Sequence, residues 1–213
     1  NQKLDMVGFD ACLMGMYEVA SASEPYAKYM VASEETEPAH GWTWDGFLVP
    51  LVNDPFMTTE QMGSNIVTSY HDYSSDNSTL SLMNLQNLPA FHTALDNFSN
   101  AMMANTSAYS AFNSARNNTI SFSWDPFYDV RDLMENLQSN GSLPGAVSTA
   151  VGGVLAAHDN VVVLHNYNSG YEDSNGMSIY IPSGSPSSLY YNGDGAVWAD
   201  KSHWDEFLLD LAK

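Results

Sequence analysis

Two short apolar runs bracket one amphipathic segment within the first forty residues, and this arrangement constrains the fold more than any other feature. Leu4-Asp5-Met6-Val7-Gly8-Phe9 reads as a buried strand, Leu13 to Tyr26 as a helix, and Tyr29-Met30-Val31-Ala32 as a second strand. Strand, helix and strand joined this tightly give parallel neighbours with a right-handed crossover. The expected class is therefore α/β, a mostly parallel sheet flanked by helices. Cys12, the only cysteine, falls where the first strand hands over to the helix. That is the carboxyl edge of the sheet, where open α/β folds place their ligands. A helix amino terminus beside the sulfur favours thiolate over thiol, so the position reads as a nucleophile. The plainer alternative is a buried structural thiol, because free Cys is among the most buried residue types.

The rest of the chain continues the pattern. Thr58-x-x-Gln61 resembles a capping box and opens a helix, Thr79 to Leu85 alternates as a strand, and Leu88 to Met103 is a helix. In that helix Phe91, Leu95, Phe98 and Met102 recur at core spacing. Asn105 to Asn118 reads as a loop or weak helix, Asp125-Pro126 as a helix start, and Ala146 to Ala157 as a helix. Val161 to Leu164 is expected as a buried strand and Met177 to Ile181 as an alternating one. Ser202-x-x-Asp205 is expected to cap a terminal helix. No repeat or internal boundary interrupts residues 1–213, which form one domain. The first strand begins within a few residues of Asn1, so further strands of the same sheet are expected upstream.

Charge narrows the partners. Six Lys and Arg against 25 Asp and Glu give a formal charge of −19. Nucleic acid and anionic membranes are poor partners for such a surface, and cationic ligands are attracted to it. A single Cys excludes an internal disulfide and a zinc ribbon. No apolar run has transmembrane length, and the start lacks the basic and apolar regions of a signal peptide.

A thiol nucleophile needs a base, usually His. Of the six histidines, His71 and His92 read as solvent-facing helix positions, His158, His165 and His203 as element ends, and His40 as the nearest loop candidate. Asp10 precedes Cys12 by two residues and so shares its side of the strand. It reads either as a carboxylate tied up by backbone amides or as a fixed charge at the base of a pocket for a basic side chain. Glu34, Glu35 and Glu37 add negative potential at the rim, with at least two of them expected in a solvated loop.

These residues carry a resemblance. Phe9-Asp10-Ala11-Cys12-Leu13-Met14-Gly15, Val31-Ala32-Ser33-Glu34-Glu35, Gly41-Trp42, Gly176-Met177-Ser178-Ile179-Tyr180-Ile181-Pro182 and Trp204-Asp205-Glu206-Phe207-Leu208 together resemble the clostripain family of cysteine peptidases. The match is co-linear over nearly the whole chain. It implies a caspase-like α/β/α sandwich, incomplete on its amino-terminal side, and cleavage after Arg or Lys. It implies Cys12 as nucleophile, Asp10 as selector of the basic side chain, Ser33 and Glu34 in the same substrate pocket, and the Cys12 amide as half of an oxyanion hole. The family's catalytic His lies in a His-Gly motif on the strand before the cysteine strand. Here the one relevant dipeptide, His40-Gly41, follows it. The resemblance therefore places the base on a missing amino-terminal light chain or segment, and this chain alone is expected to be inactive.

Members are often secreted bacterial enzymes, which sets the expected localisation. No cofactor is needed for the chemistry. Some members require calcium, and Glu172 to Gly176 and Asn192 to Gly195 are the oxygen-rich turns that offer ligands, although plain turns are the simpler reading. Two rival functions stand beside the peptidase. One is a non-catalytic domain binding peptides or surface partners through its acidic rim. The other is an esterase or amidase using Cys12.

Overall fold

The structure, a computed structural model, describes residues 2–73, 78–123, 126–193 and 196–213. In chain order the elements are β1 (Leu4–Gly8), α1 (Tyr17–Ser23), β2 (Ala27–Ala32), α2 (Trp44–Asn53), α3 (Thr59–Tyr73), β3 (Thr79–Asn84), α4 (Leu88–Met103) and α5 (Tyr109–Asn118). There follow β4 (Ser121–Phe122), β5 (Phe127–Asp129), α6 (Val130–Gln138), α7 (Gly145–Val161), β6 (Val162–Tyr167), β7 (Ser178–Tyr180), α8 (Ser188–Asn192) and α9 (Trp204–Leu211).

The main sheet has the order β1-β2-β3-β6. β1 and β2 pair in parallel, as the short crossover through α1 requires, while β3 is antiparallel to both β2 and β6. β1, β2 and β6 thus point one way and β3 the other. Alternation along the strands splits the core in two. Met30 and Ala32 of β2 and Met83 of β3 face a large cluster shared with α4, α6, α7 and α9. Val31 of β2 and Leu80 and Leu82 of β3 face a smaller one built from Phe47 of α2 and Ile66, Val67 and Tyr70 of α3. Helices on both faces of one sheet make an α/β/α sandwich. A second, three-stranded sheet, β4-β5-β7, is tied to the main body by a bridge between Met16 and Ser178.

Several expectations hold in detail. Phe91, Leu95, Phe98 and Met102 are fully buried. Thr58 and Gln61 form a reciprocal capping box, the Thr58 amide donating to Gln61 Oε1 at 2.8 Å and the Gln61 amide to Thr58 Oγ1 at 3.1 Å. Others are corrected. β1 and β6 are the sheet's outer strands, so Leu4 is 62% exposed and Val163 37%, where buried strands were expected. Apolar runs of this length do not reveal whether a neighbour covers both faces. Tyr109 to Asn118 is a full helix, held by Phe112 packed among Phe98, Trp204 and Phe207. The helix start expected at Asp125-Pro126 is displaced. Asp125 lies outside the described residues, Phe127 to Asp129 forms a strand, and Asp129 caps α6 by accepting from the Asp132 amide at 2.7 Å. Ser202 does not cap α9. Its hydroxyl meets the Tyr17 hydroxyl at 3.5 Å.

Candidate active site

Cys12 does not sit at a helix amino terminus. After β1 the chain keeps running beside the continuation of β2: the Phe9 amide donates to Val31 O, Leu13 to Glu35 O at 3.2 Å and Gly15 to Ser33 O at 2.6 Å. These bonds compete with helix formation, and α1 starts only at Tyr17. Cys12 rides the tight turn between them, with Leu13 forced to a φ of +59°. A branched side chain in that left-handed region is strained, and such strain concentrates at functional turns. The turn pushes the thiol outward, so Cys12 is exposed. The Glu37 amide donates to its Sγ at 3.3 Å. A backbone N–H thus stands at the sulfur in the place where a helix amino terminus was expected.

Asp10 lies beside this turn, also exposed. The Trp42 amide donates to its Oδ2 at 3.2 Å, while the Trp42 indole N–H donates to Glu37 Oε2 at 3.1 Å. Trp42 thereby holds two carboxyl groups next to each other. Gly41, at φ +66°, permits the approach, because a Cβ there would stand 2.7 Å from Asp10 Oδ2. Burial and the neighbouring Asp10 carboxylate push the Glu37 carboxyl up to about 9. Tyr70 of α3 lies within the field of Glu37, Asp10 and Cys12, and burial first and these neighbours second raise its hydroxyl pKa. Nothing in the sequence distinguishes Glu37 from Glu34 or Glu35. Only the fold brings it to Asp10 and Cys12.

Ser33 and Glu34, expected in the substrate pocket, are enclosed instead, at 0% and 1% exposure. The Ser33 hydroxyl donates to Glu35 O at 2.9 Å and meets Thr79 Oγ1 at 3.0 Å. Glu34 accepts from the Gly176 amide at 2.8 Å and faces the fully buried Asp129. Glu35 is buried too and accepts from the Ser123 amide at 2.8 Å and the Tyr171 hydroxyl at 2.9 Å. The acidic run is therefore a set of interior ties, not a solvated loop. The run looks exposed in sequence because the Gly176, Ser123 and Tyr171 donors that receive Glu34 and Glu35 lie far along the chain.

The Glu34–Asp129 pair makes a stability prediction. Burial raises Glu34 well above the usual carboxylate range and lifts Asp129 to about 6. A buried acid with a raised folded pKa holds its proton more tightly than the unfolded chain does. Its contribution is most favourable in acid and is lost as pH rises through about 4 to 6 and beyond. Glu34→Gln keeps a donor for Asp129 and an acceptor for Gly176 without a titrating proton. We expect its Tm to exceed that of the parent by roughly 2–4 °C at pH 8, corresponding to about 1 kcal/mol, and the difference to vanish at pH 4.5. Thermal melts at the two pH values check this.

The histidines are dispersed. His92, expected in solvent, is buried between the Tyr17 hydroxyl at 3.0 Å and Glu24 at 3.4 Å. His165 meets Ser174 Oγ at 2.9 Å and His203 pairs with Asp96, while burial keeps His158 neutral at the end of α7. His40 pairs with its own loop through Gly41 O and lies edge-on to Tyr73. None of these contacts is to Cys12. Of the two oxygen-rich turns, Glu172 to Gly176 is described in full. Both Glu172 oxygens accept from the Gly170 amide, and no cluster of three His, Cys, Asp or Glu side chains converges among the described residues. Asp194 and Gly195 lie outside them. Among the described residues no helix is long and apolar enough to cross a membrane.

An exposed thiol on a strained turn at the carboxyl end of a strand, with an acidic pair at its side, is the local geometry. The model of the clostripain family of C11 peptidases matches residues 1–210. The chain belongs to the clostripain family of cysteine peptidases. Solved structures agree on the fold. A Bacteroides fragilis cysteine protease is 19% identical with a TM-score of 0.68, over 95% of this clostripain-family chain and 90% of that one. A clostripain from Bacteroides thetaiotaomicron, bound to the peptide inhibitor BTN-VLTK-AOMK, is 17% identical at 0.67, over 94% and 87%. An inactive zymogen C11 protease from Parabacteroides distasonis is 18% identical at 0.66, over 98% of this chain and 59% of that one. A comparison with curated proteins finds no match.

Proposed function

We propose that this clostripain-family chain is the cysteine-bearing part of a secreted endopeptidase that cleaves after Arg or Lys. The observation that carries the reading is the pairing of an exposed Cys12, whose sulfur accepts the Glu37 amide, with the Asp10 carboxylate on the same turn. Asp10 would hold the substrate's cationic side chain through charge-assisted hydrogen bonds. A His from a segment outside this chain would take the thiol proton, and the thiolate would attack the carbonyl carbon. The Cys12 amide would supply one donor to the developing oxyanion. Loss of the amine, protonated by the same His, leaves a thioester that water hydrolyses. Support for an external segment comes from β1, whose outer edge has no partner strand among the described residues. The Lys-terminated inhibitor bound to the Bacteroides thetaiotaomicron clostripain fits a basic preference. Ser33 and Glu34 support the pocket from inside and do not touch substrate in this reading.

The test is covalent labelling by peptidyl acyloxymethyl ketones, with the chain alone and with the segment encoded upstream. A Lys- or Arg-ended reagent is expected to label Cys12 at least ~100-fold faster than a Glu-ended one. Labelling should require the upstream segment and disappear in Cys12→Ala. Equal labelling by both reagents, or label carried elsewhere than Cys12, sinks the proposal.

A further inference from the structure

The Asp10–Glu37 contact is unusual because both partners are acceptors. Glu37 Oε2 takes the Trp42 indole N–H, but Glu37 Oε1 is shut off from solvent with no donor on it. The group beside it is the Asp10 carboxyl, whose Oδ2 already accepts the Trp42 amide. Two ionised carboxylates in this position would repel and leave the buried Glu37 Oε1 unsatisfied. A single proton on Glu37, directed at Asp10, turns the clash into a donor–acceptor pair. The other groups near the pair do not replace that proton. Among the described residues these include the Cys12 thiol on the same turn, the Tyr70 hydroxyl from α3 and His40, whose Nδ1 meets Gly41 O at 2.9 Å, and no Lys or Arg is among the groups that shift Glu37.

We propose that Asp10 and Glu37 together form the anchor for the substrate's cationic side chain, holding one shared proton when empty and releasing it to solvent when the cation enters. This rests on the basic specificity proposed above. The exchange balances: a guanidinium or ammonium replaces the proton as the positive charge between two carboxylates, and both then ionise. A pair that must give up a proton discriminates more sharply than a lone Asp. A neutral side chain supplies nothing to hold the second negative charge, so it leaves the proton in place. The raised Glu37 affinity for its proton sets the range in which this operates, below about pH 9. The same residue holds the nucleophile through its backbone amide, which a side-chain change leaves intact.

The experiment is calorimetry of N-acetyl-arginine amide binding to Cys12→Ala protein, which removes thiol ionisation. It is run in phosphate and in Tris, whose heats of ionisation differ, together with the segment that completes the enzyme. At pH 7.5 about one proton should be released per arginine bound, and affinity should rise roughly tenfold per pH unit between pH 6.5 and 8.5. With Glu37→Gln as a further change, release should fall to about zero and the pH dependence should flatten while binding persists. Binding without proton release, or release that persists in the Gln variant, overturns the shared-proton anchor and leaves basic specificity standing. Absence of any arginine binding overturns the basic specificity itself, and the anchor with it.

Discussion

Asp10→Asn is expected to lower kcat/KM for a substrate with Arg before the scissile bond by about 10²–10³-fold, the effect of losing one partner of a hydrogen-bonded charge pair. Most of the loss should appear in KM, because the interaction is present before as well as during bond cleavage. Asn keeps the size of Asp10 and can still accept the Trp42 amide, so the turn bearing Cys12 should stay in place. Turnover of an ester of an uncharged residue should therefore change little. Paired assays on the Arg and neutral substrates read the difference. An equal drop on both would mean that Asp10 holds the turn and selects nothing.

Gly15→Ala is expected to cost about 3 kcal/mol, with Tm lower by roughly 6–12 °C and labelling of Cys12 slowed at least tenfold. The reason is rigid. A Cβ on Gly15 would stand 2.7 Å from the backbone N of Glu34 and 2.7 Å from the carbonyl carbon of Ser33. Neither can swing aside as a side-chain tip does. The strand-like approach also carries the Gly15-to-Ser33 hydrogen bond at 2.6 Å, and Gly15 O accepts from the Ser178 amide at 2.9 Å. Separating Gly15 from Ser33 would shift the turn that presents the sulfur. Calorimetric melting and reagent labelling measure the two effects. An unchanged Tm with unchanged labelling would show that the turn is not held as described.

Both effects arise where local patterning misled. An apolar and helix-forming stretch after Cys12 reads as a helix start, yet pairing with Ser33 and Ser178 delays α1 to Tyr17. The amide of Glu37, nearly a full loop away in sequence, then serves the sulfur. Likewise Glu34 and Glu35 look hydrophilic until Asp129, Gly176, Ser123 and Tyr171 converge on them. In each case the deciding partner is remote, and no window of adjacent residues contains it.

The order and spacing of apolar residues determined an α/β fold, its core helices and the location of Cys12 and Asp10 at one sheet edge, because alternation and helical period are local properties of the chain. Tertiary structure alone decided that Cys12 faces solvent, that Ser33 and Glu34 lie inside, and that Glu37 stands against Asp10. Burial and hydrogen-bond partnership depend on which distant segments arrive, and a carboxyl group's charge state follows from that company.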